Sequence, residues 1–202
     1  MHNAYKQFND SIKYVKDLDT LFEYLTDIQK LPNDLTDLLR AEWVYSVSAL
    51  DKLIHELVRV GMLQSFLGLR PKTRKFNAFT ISVDTMANIQ VATIPPAEYW
   101  FEQEIIQKHK ALSFQDPDKI SDILSLIWDE NNKWQKISLP LLIRENDVKV
   151  TLKTIVNRRN QIVHEADLDL ISGIRQTIDR PDTFKTVDLV TKIGESIYNC
   201  VK

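Results

Sequence analysis

Residues 35–67, LTDLLRAEWVYSVSALDKLIHELVRVGMLQSFL, decide the fold. Leu39, Trp43, Val47, Leu50, Ile54, Leu57 and Val58 recur at steps of three and four, the spacing that gathers side chains on one side of an α-helix. The apolar arc is wide, so this helix is expected at the centre of a bundle, with Gly68 ending it. Upstream, Tyr5, Phe8, Ile12, Val15, Leu18, Phe22, Leu25 and Ile28 mark an amphipathic first helix. Leu31-Pro32-Asn33-Asp34 interrupts the pattern, and Asn33 or Asp34 is placed to cap the second helix.

Downstream, residues 69–96 break the period. Arg70-Pro71-Lys72-Thr73-Arg74-Lys75 reads as a basic loop, and Phe76 to Ala92 has little helical spacing, so this stretch is an insertion of open form. Pro95-Pro96 precedes a helix from about Ala97 to Ala111, and Phe114 to Ile120 is a connector with a proline at the next helical turn. Short helices follow to Trp128 and around Asn132 to Ile137. A longer one starts near Glu145 and carries Val148, Leu152, Ile155, Val156, Ile162 and Val163. A loop with Gly173 and Pro181 leads to a last helix from about Thr183 to Cys200. No internal repeat and no low-complexity linker occurs. The expectation is one all-α domain over residues 1–202.

Composition bounds the function. The chain has 202 residues, 44% hydrophobic and 27% charged, ordinary for a soluble globular protein. It has only four glycines and no GxGxxG or GxxxxGK[ST] pattern, which argues against Rossmann and P-loop nucleotide sites. A formal net charge of −2 offers nucleic acid no global attraction, so any RNA-binding surface must be local or assembled across subunits. Cys200 alone forms no intrachain disulfide, and a reducing compartment fits. The N-terminus lacks a signal-peptide layout, and no apolar run nears the roughly 20 residues that span a bilayer, so a cytoplasmic location is expected. His2, His55, His109 and His164 show no HExxH or paired-histidine spacing, no carboxylate cluster suits two-metal chemistry, and no GxSxG occurs. No cofactor is expected.

The chemistry concentrates in Arg158-Arg159-Asn160-Gln161-Ile162-Val163-His164-Glu165. Arginine grips a phosphate through paired, charge-assisted hydrogen bonds, and histidine moves protons near neutral pH. Together they suffice for metal-free cleavage of RNA, whose 2′-hydroxyl is a built-in nucleophile. On residue types alone the bland reading is a solvated Arg-Arg pair and a structural histidine. Arg159 and His164 are five residues apart, about 140° of net rotation, so they do not share a helix face, whereas Asn160 and His164 do. Convergence therefore needs a bent or ending helix, or a second subunit.

The pattern Arg159-Asn160 followed by His164 resembles the signature of the HEPN superfamily of helical ribonucleases, and residues 155–167 look most like its RiboL-PSP-HEPN branch. Phe114 to Ile120, the tryptophans at 128 and 134 and the terminal helix are similar to that branch in order. The likeness is weakest at residues 1–30 and 77–96. The resemblance implies a HEPN-like helical bundle with two long antiparallel helices, and a homodimer with a composite site on the two-fold axis. It implies metal-independent endoribonuclease activity, with His164 as general acid or base, Arg159 stabilising phosphoryl charge and Asn160 orienting His164 or hydrogen-bonding the phosphate. The product would carry a 2′,3′-cyclic phosphate. The same resemblance implies toxin or anti-phage service, with RNA as partner and an antitoxin or other defence protein as a further one. The alternative is a non-catalytic HEPN module that dimerises or binds nucleic acid within a defence complex.

Arg158 is a substitute phosphate ligand, second to Arg159 because Asn160 follows the latter. The branch has a similar Leu-Asp followed by His-Glu, which implies Asp51 and His55 as supporting site residues; an ordinary i,i+4 polar pair is the equal alternative. Glu56 and Glu165 are expected to pair with Arg59, Arg158 or nearby lysines. Arg70, Lys72, Arg74 and Lys75 are candidate RNA contacts, against the commoner reading of a solvated charge run.

Overall fold

The computed structural model describes residues 1–169 and 171–202. Its helices are α1 His2–Glu23, α2 Thr36–Phe66, α3 Arg74–Asn77, α4 Val83–Val91, α5 Ala97–His109, α6 Pro117–Leu124, α7 Lys133–Ser138, α8 Glu145–His164 and α9 Arg180–Val201. A π-turn, Tyr24–Ile28, continues α1, and a 3₁₀ turn, Leu139–Leu141, follows α7. Among the described residues the only β feature is an isolated bridge between Leu168 and Arg175. The chain is an all-α bundle, consistent with a HEPN-like fold.

α2 is the hub, packing against α1, α9, α8, α5 and α6. Leu39, Val47, Leu50, Ile54, Leu57 and Val58 are all buried along it, as the spacing predicts. Phe8 and Ile12 of α1, Ile120 and Leu124 of α6, Val148 and Leu152 of α8, and Ile193 and Ile197 of α9 join Val47, Leu50, Ile54, Leu57 and Val58 in one continuous core. Gly194 lets α1 and α9 approach: a Cβ there would lie 2.5 Å from Phe8 Cζ, inside contact distance.

The helix starts follow local chemistry. Thr73, Ser82, Asp116 and Asp179 each accept a hydrogen bond from a backbone N–H in the first turn of α3, α4, α6 and α9. Pro181 lies inside α9 instead of in the loop before it, because the first helical turn has no use for proline's missing N–H. Asp34 Oδ1 accepts from Thr36 N at 2.9 Å, whereas Leu35 is the N-cap residue and supplies no side-chain cap. The insertion at 69–96 is more regular than its spacing suggests, since α3 and α4 lie within it. α4 fully buries no residue, so its sequence carries no core-facing stripe to read.

One buried group stands out. Glu42 lies within the apolar arc of α2, 2% exposed, and its Oε1 has no hydrogen-bond partner. It lines a cavity of about 250 Å³ between α1, α2 and α9. Burial pushes its carboxyl up to about 8; Asp19 pushes the same way and Arg180 opposes.

Candidate active site

α8 ends at His164, so the sequence motif occupies the helix's last two turns. Val148, Leu152, Ile155 and Val156 are buried, which fixes the rotation of the helix. On that rotation Arg159 continues the buried stripe, and its Nε is buried without a partner. Its Nη1 donates to Asn160 Oδ1 at 3.1 Å, so Asn160 steers the guanidinium. His164 is exposed at the helix end, on the face that Asn157, Asn160 and Gln161 share.

The segment after α8 holds that end in place. Ala166 and Asp167 both adopt left-handed backbone, φ 51° and 62°, a conformation that costs about 1–2 kcal/mol for each non-glycine residue. Asp167 offsets this. Its side chain is fully buried, and its Oδ2 accepts from Arg40 Nε at 2.7 Å and Arg158 Nη2 at 2.9 Å. Arg40 also donates to Thr36 Oγ1 and the Gln176 carbonyl, both at 2.7 Å, while Arg158 donates to Gln176 Oε1 and to the Thr177 carbonyl at 3.1 Å. Gln176 N donates to the Asp167 carbonyl at 2.8 Å. The network ties the start of α2, the end of α8 and the residues Asp167, Gln176 and Thr177 together. Burial lowers the Arg158 pKa while Asp167 raises it. Arg158 is thus occupied in this network, and Arg159 has the lesser engagement of the two.

Arg40 and Asp167 escape a sequence reading focused on the motif. The signal was there in one of them: an arginine inside the apolar arc of a central helix requires a buried partner.

Asp51 and His55 stand elsewhere. Asp51 Oδ1 accepts from Phe114 N at 2.6 Å and its Oδ2 from Gln115 Nε2 at 3.2 Å, fastening the α5–α6 connector to α2. His55 Nε2 lies 3.8 Å from Asp51 Oδ1, beyond hydrogen-bond range, and its ring packs on Phe114 with centroids 4.4 Å apart. His55 follows Arg40 by fifteen residues, about 22 Å along the α2 axis, so it does not join the motif within one chain. Instead His55 borders a cavity of about 400 Å³ with Glu56, Arg59, Glu102 and His109. Burial pushes His109 down to about 4, helped by His55 and Lys108. Glu56 pairs with Lys52 and Arg59 as expected; Glu165 has no ion-pair partner among the described residues.

The basic loop is partly consumed by the fold. Arg70 donates to the carbonyls of Ile127, at 2.9 Å, and Val201. Lys75 pairs with Asp122, and Lys72 lies over the Phe76 ring at 6.0 Å. Arg74 is exposed at the start of α3. Among the described residues no three His, Cys, Asp or Glu side chains group as metal ligands, and no helix is long and apolar enough to cross a membrane.

A second cavity, about 420 Å³, opens beside the motif between Trp43 of α2, Asn157, Arg158 and Gln161 of α8, and the segment from Gln176 into α9. Comparison with known proteins gives one result: the family model described as RiboL-PSP-HEPN matches residues 9–202. No curated protein and no solved structure matches the chain.

Proposed function

Because the chain belongs to the RiboL-PSP-HEPN family, whose membership points to a nuclease or RNA-binding role, we propose that it is a metal-independent endoribonuclease of the toxin or anti-phage type. The observation that carries this reading is the exposed His164 at the end of α8, one and a half turns beyond an Arg159 whose guanidinium is steered by Asn160. In the reaction the RNA 2′-oxygen attacks the adjacent phosphorus while neutral His164 takes the 2′-OH proton. Arg159 stabilises the charge that gathers on the phosphoryl oxygens. The bond to the 5′-oxygen breaks, a protonated histidine supplies that oxygen's proton, and a 2′,3′-cyclic phosphate remains.

A second copy completes the site. Arg159 and His164 diverge by about 140° on their helix, so each active centre draws its second histidine from the other α8 across a two-fold axis. Val163, 45% exposed, with Ile174, 69% exposed, and Ile171, 98% exposed, supplies apolar surface near the motif for such a contact. We read α2 and α8 as the long antiparallel pair, since Arg40 near the start of one meets Arg158 near the end of the other. Asp51 and His55, midway along α2, act in this reading as structural residues, Asp51 fastening the α5–α6 connector and His55 packing on Phe114.

The test is cleavage of labelled RNA in EDTA by wild type, His164→Ala and Arg159→Ala. Fragments ending in 2′,3′-cyclic phosphate from wild type alone are expected, and DNA is inert. Cleavage that survives in both variants removes these residues from the mechanism. One observation favours a second reading, a non-catalytic dimerisation or nucleic-acid-binding subunit of a defence complex: Arg70 and Lys75 are engaged within the protein, but Lys72 and Arg74 of the same loop stay exposed, charge that can hold nucleic acid without cutting it. Intact RNA with verified dimer selects that reading.

A further inference from the structure

The cavity beside the motif has walls of a particular chemistry. Asn157 and Gln161 present side-chain amides that make no hydrogen bond among the described residues. Trp43 borders the same space with its Nε1 already donated to the Ile155 carbonyl at 3.0 Å, which leaves only the π-surface of the indole to offer. Gln176 gives its Oε1 to Arg158 and keeps its amide N–H groups. The opposite wall holds Asp179 and Asp182, each using one carboxylate oxygen locally, on Asp182 N at 2.8 Å and on Lys185 Nζ at 3.0 Å. The one guanidinium lining the cavity, Arg158, is engaged by Asp167, whose carboxylate it shares with Arg40, and by Gln176 Oε1 and the Thr177 carbonyl.

These walls reject a phosphate, because two carboxylates face the cavity and its only arginine is paired. They suit a flat, neutral group with hydrogen-bonding edges and a π-face. Asn157, Gln161 and His164 fall at i, i+4 and i+7 of α8, one stripe on one face. Gln161 stands about 4.5 Å short of His164 along the axis, within the span of one nucleotide.

From this juxtaposition we infer that the cavity is a nucleobase-recognition pocket that selects the base next to the scissile phosphate, with adenine preferred. A side-chain amide offers a donor and an acceptor side by side, and adenine N7 and N6 complement that pair. Adenine's amino group can also donate to the carboxylate wall, and its ring stacks on indole as bases in single-stranded RNA do. The inference rests on the ribonuclease reading for the position of the cut, and on the pocket's own chemistry for the binding.

The experiment sequences the cut sites left in a randomised RNA by wild type, by an Asn157→Ala/Gln161→Ala double variant and by a Lys153→Ala control on another face of α8. The readout is the ratio of bases beside the cut within each reaction, which does not depend on overall rate. Wild type and the control should favour adenine by about tenfold, the scale of one bidentate amide–adenine contact, and the double variant should lose that preference. No preference in wild type, or one that persists in the double variant, overturns the inference. If wild type or the double variant cuts nothing, adenosine and uridine 3′-monophosphates are titrated against tryptophan fluorescence, with Trp43→Phe as the assignment control. Quenching by the adenosine nucleotide that disappears in the double variant upholds the pocket even where the ribonuclease reading has failed. Equal or absent quenching overturns it.

Discussion

Replacing Glu42 with glutamine should abolish a fall in stability that the wild type undergoes as pH rises. In the unfolded chain a glutamate loses its proton near 4.5, whereas in the fold burial holds the Glu42 carboxyl protonated up to about 8. Between those values the folded state binds one proton more than the unfolded state, so stability is lost as pH rises and the loss is complete above about 8. Each pKa unit is worth about 1.4 kcal/mol, so the whole displacement costs on the order of 5 kcal/mol. His109 titrates in the opposite sense but only on the acid side, since its pKa moves from 6.5 down to about 4. Above pH 6.5 its contribution is flat, which leaves Glu42 alone of the two. From pH 6.5 to 8 the wild type should therefore lose about 2 kcal/mol relative to Glu42→Gln, which keeps the shape and lacks the proton. Urea denaturation of both proteins at half-unit steps measures the difference directly, and any group common to both cancels. Parallel stability curves across this window would refute the argument, because they would mean that Glu42 ionises without penalty.

Two further outcomes are expected of the same structure. Asp167→Ala removes the buried carboxylate that Arg40 and Arg158 share and should cost about 3–5 kcal/mol of stability; a loss below about 1 kcal/mol by chemical denaturation would show that the network holds nothing. On the acid side, wild type should lose about 3 kcal/mol relative to a His109→Phe variant as pH falls from 6.5 towards 4, because the unfolded chain protonates His109 first; the opposing gain from Glu42 is common to both proteins and cancels when both are melted across the range.

The sequence announced the fold where burial was continuous and fell silent where it was not. α2 was legible because the residues at its three- and four-residue steps, Leu39, Val47, Leu50, Ile54, Leu57 and Val58, are all buried. α4 was not, since a helix that fully buries nothing imprints no period on its residues. In α8 the apolar spacing runs on through Ile162 and Val163, but the core stops at Val156, and Val163 lies at the surface. Arg159, Asn160 and His164 were visible as chemistry, and their divergence by rotation was visible too. The clamp around Asp167 was not, because it joins positions 40, 158, 167 and 176, and no local pattern encodes a contact between residues so far apart. Asp51 and His55 have the i,i+4 spacing but lie midway along α2, away from the start of that helix where Arg40 reaches the motif segment, a distinction only tertiary structure draws.

The clamp has a consequence for how the molecule breathes. A surface loop ordinarily opens on its own, at little cost and without disturbing its neighbours. Asp167 and Gln176 cannot, because releasing Asp167 strips the shared carboxylate from one arginine on α2 and another on α8 at once. They therefore belong to the same cooperative unit as those two helices. The amide protons of Asp167 and Gln176, bonded to the carbonyls of Gln161 and Asp167, should exchange with solvent on the timescale of the core rather than of a loop. The histidine at the end of α8 is thus mounted on one of the least yielding parts of the fold, although it stands at the surface.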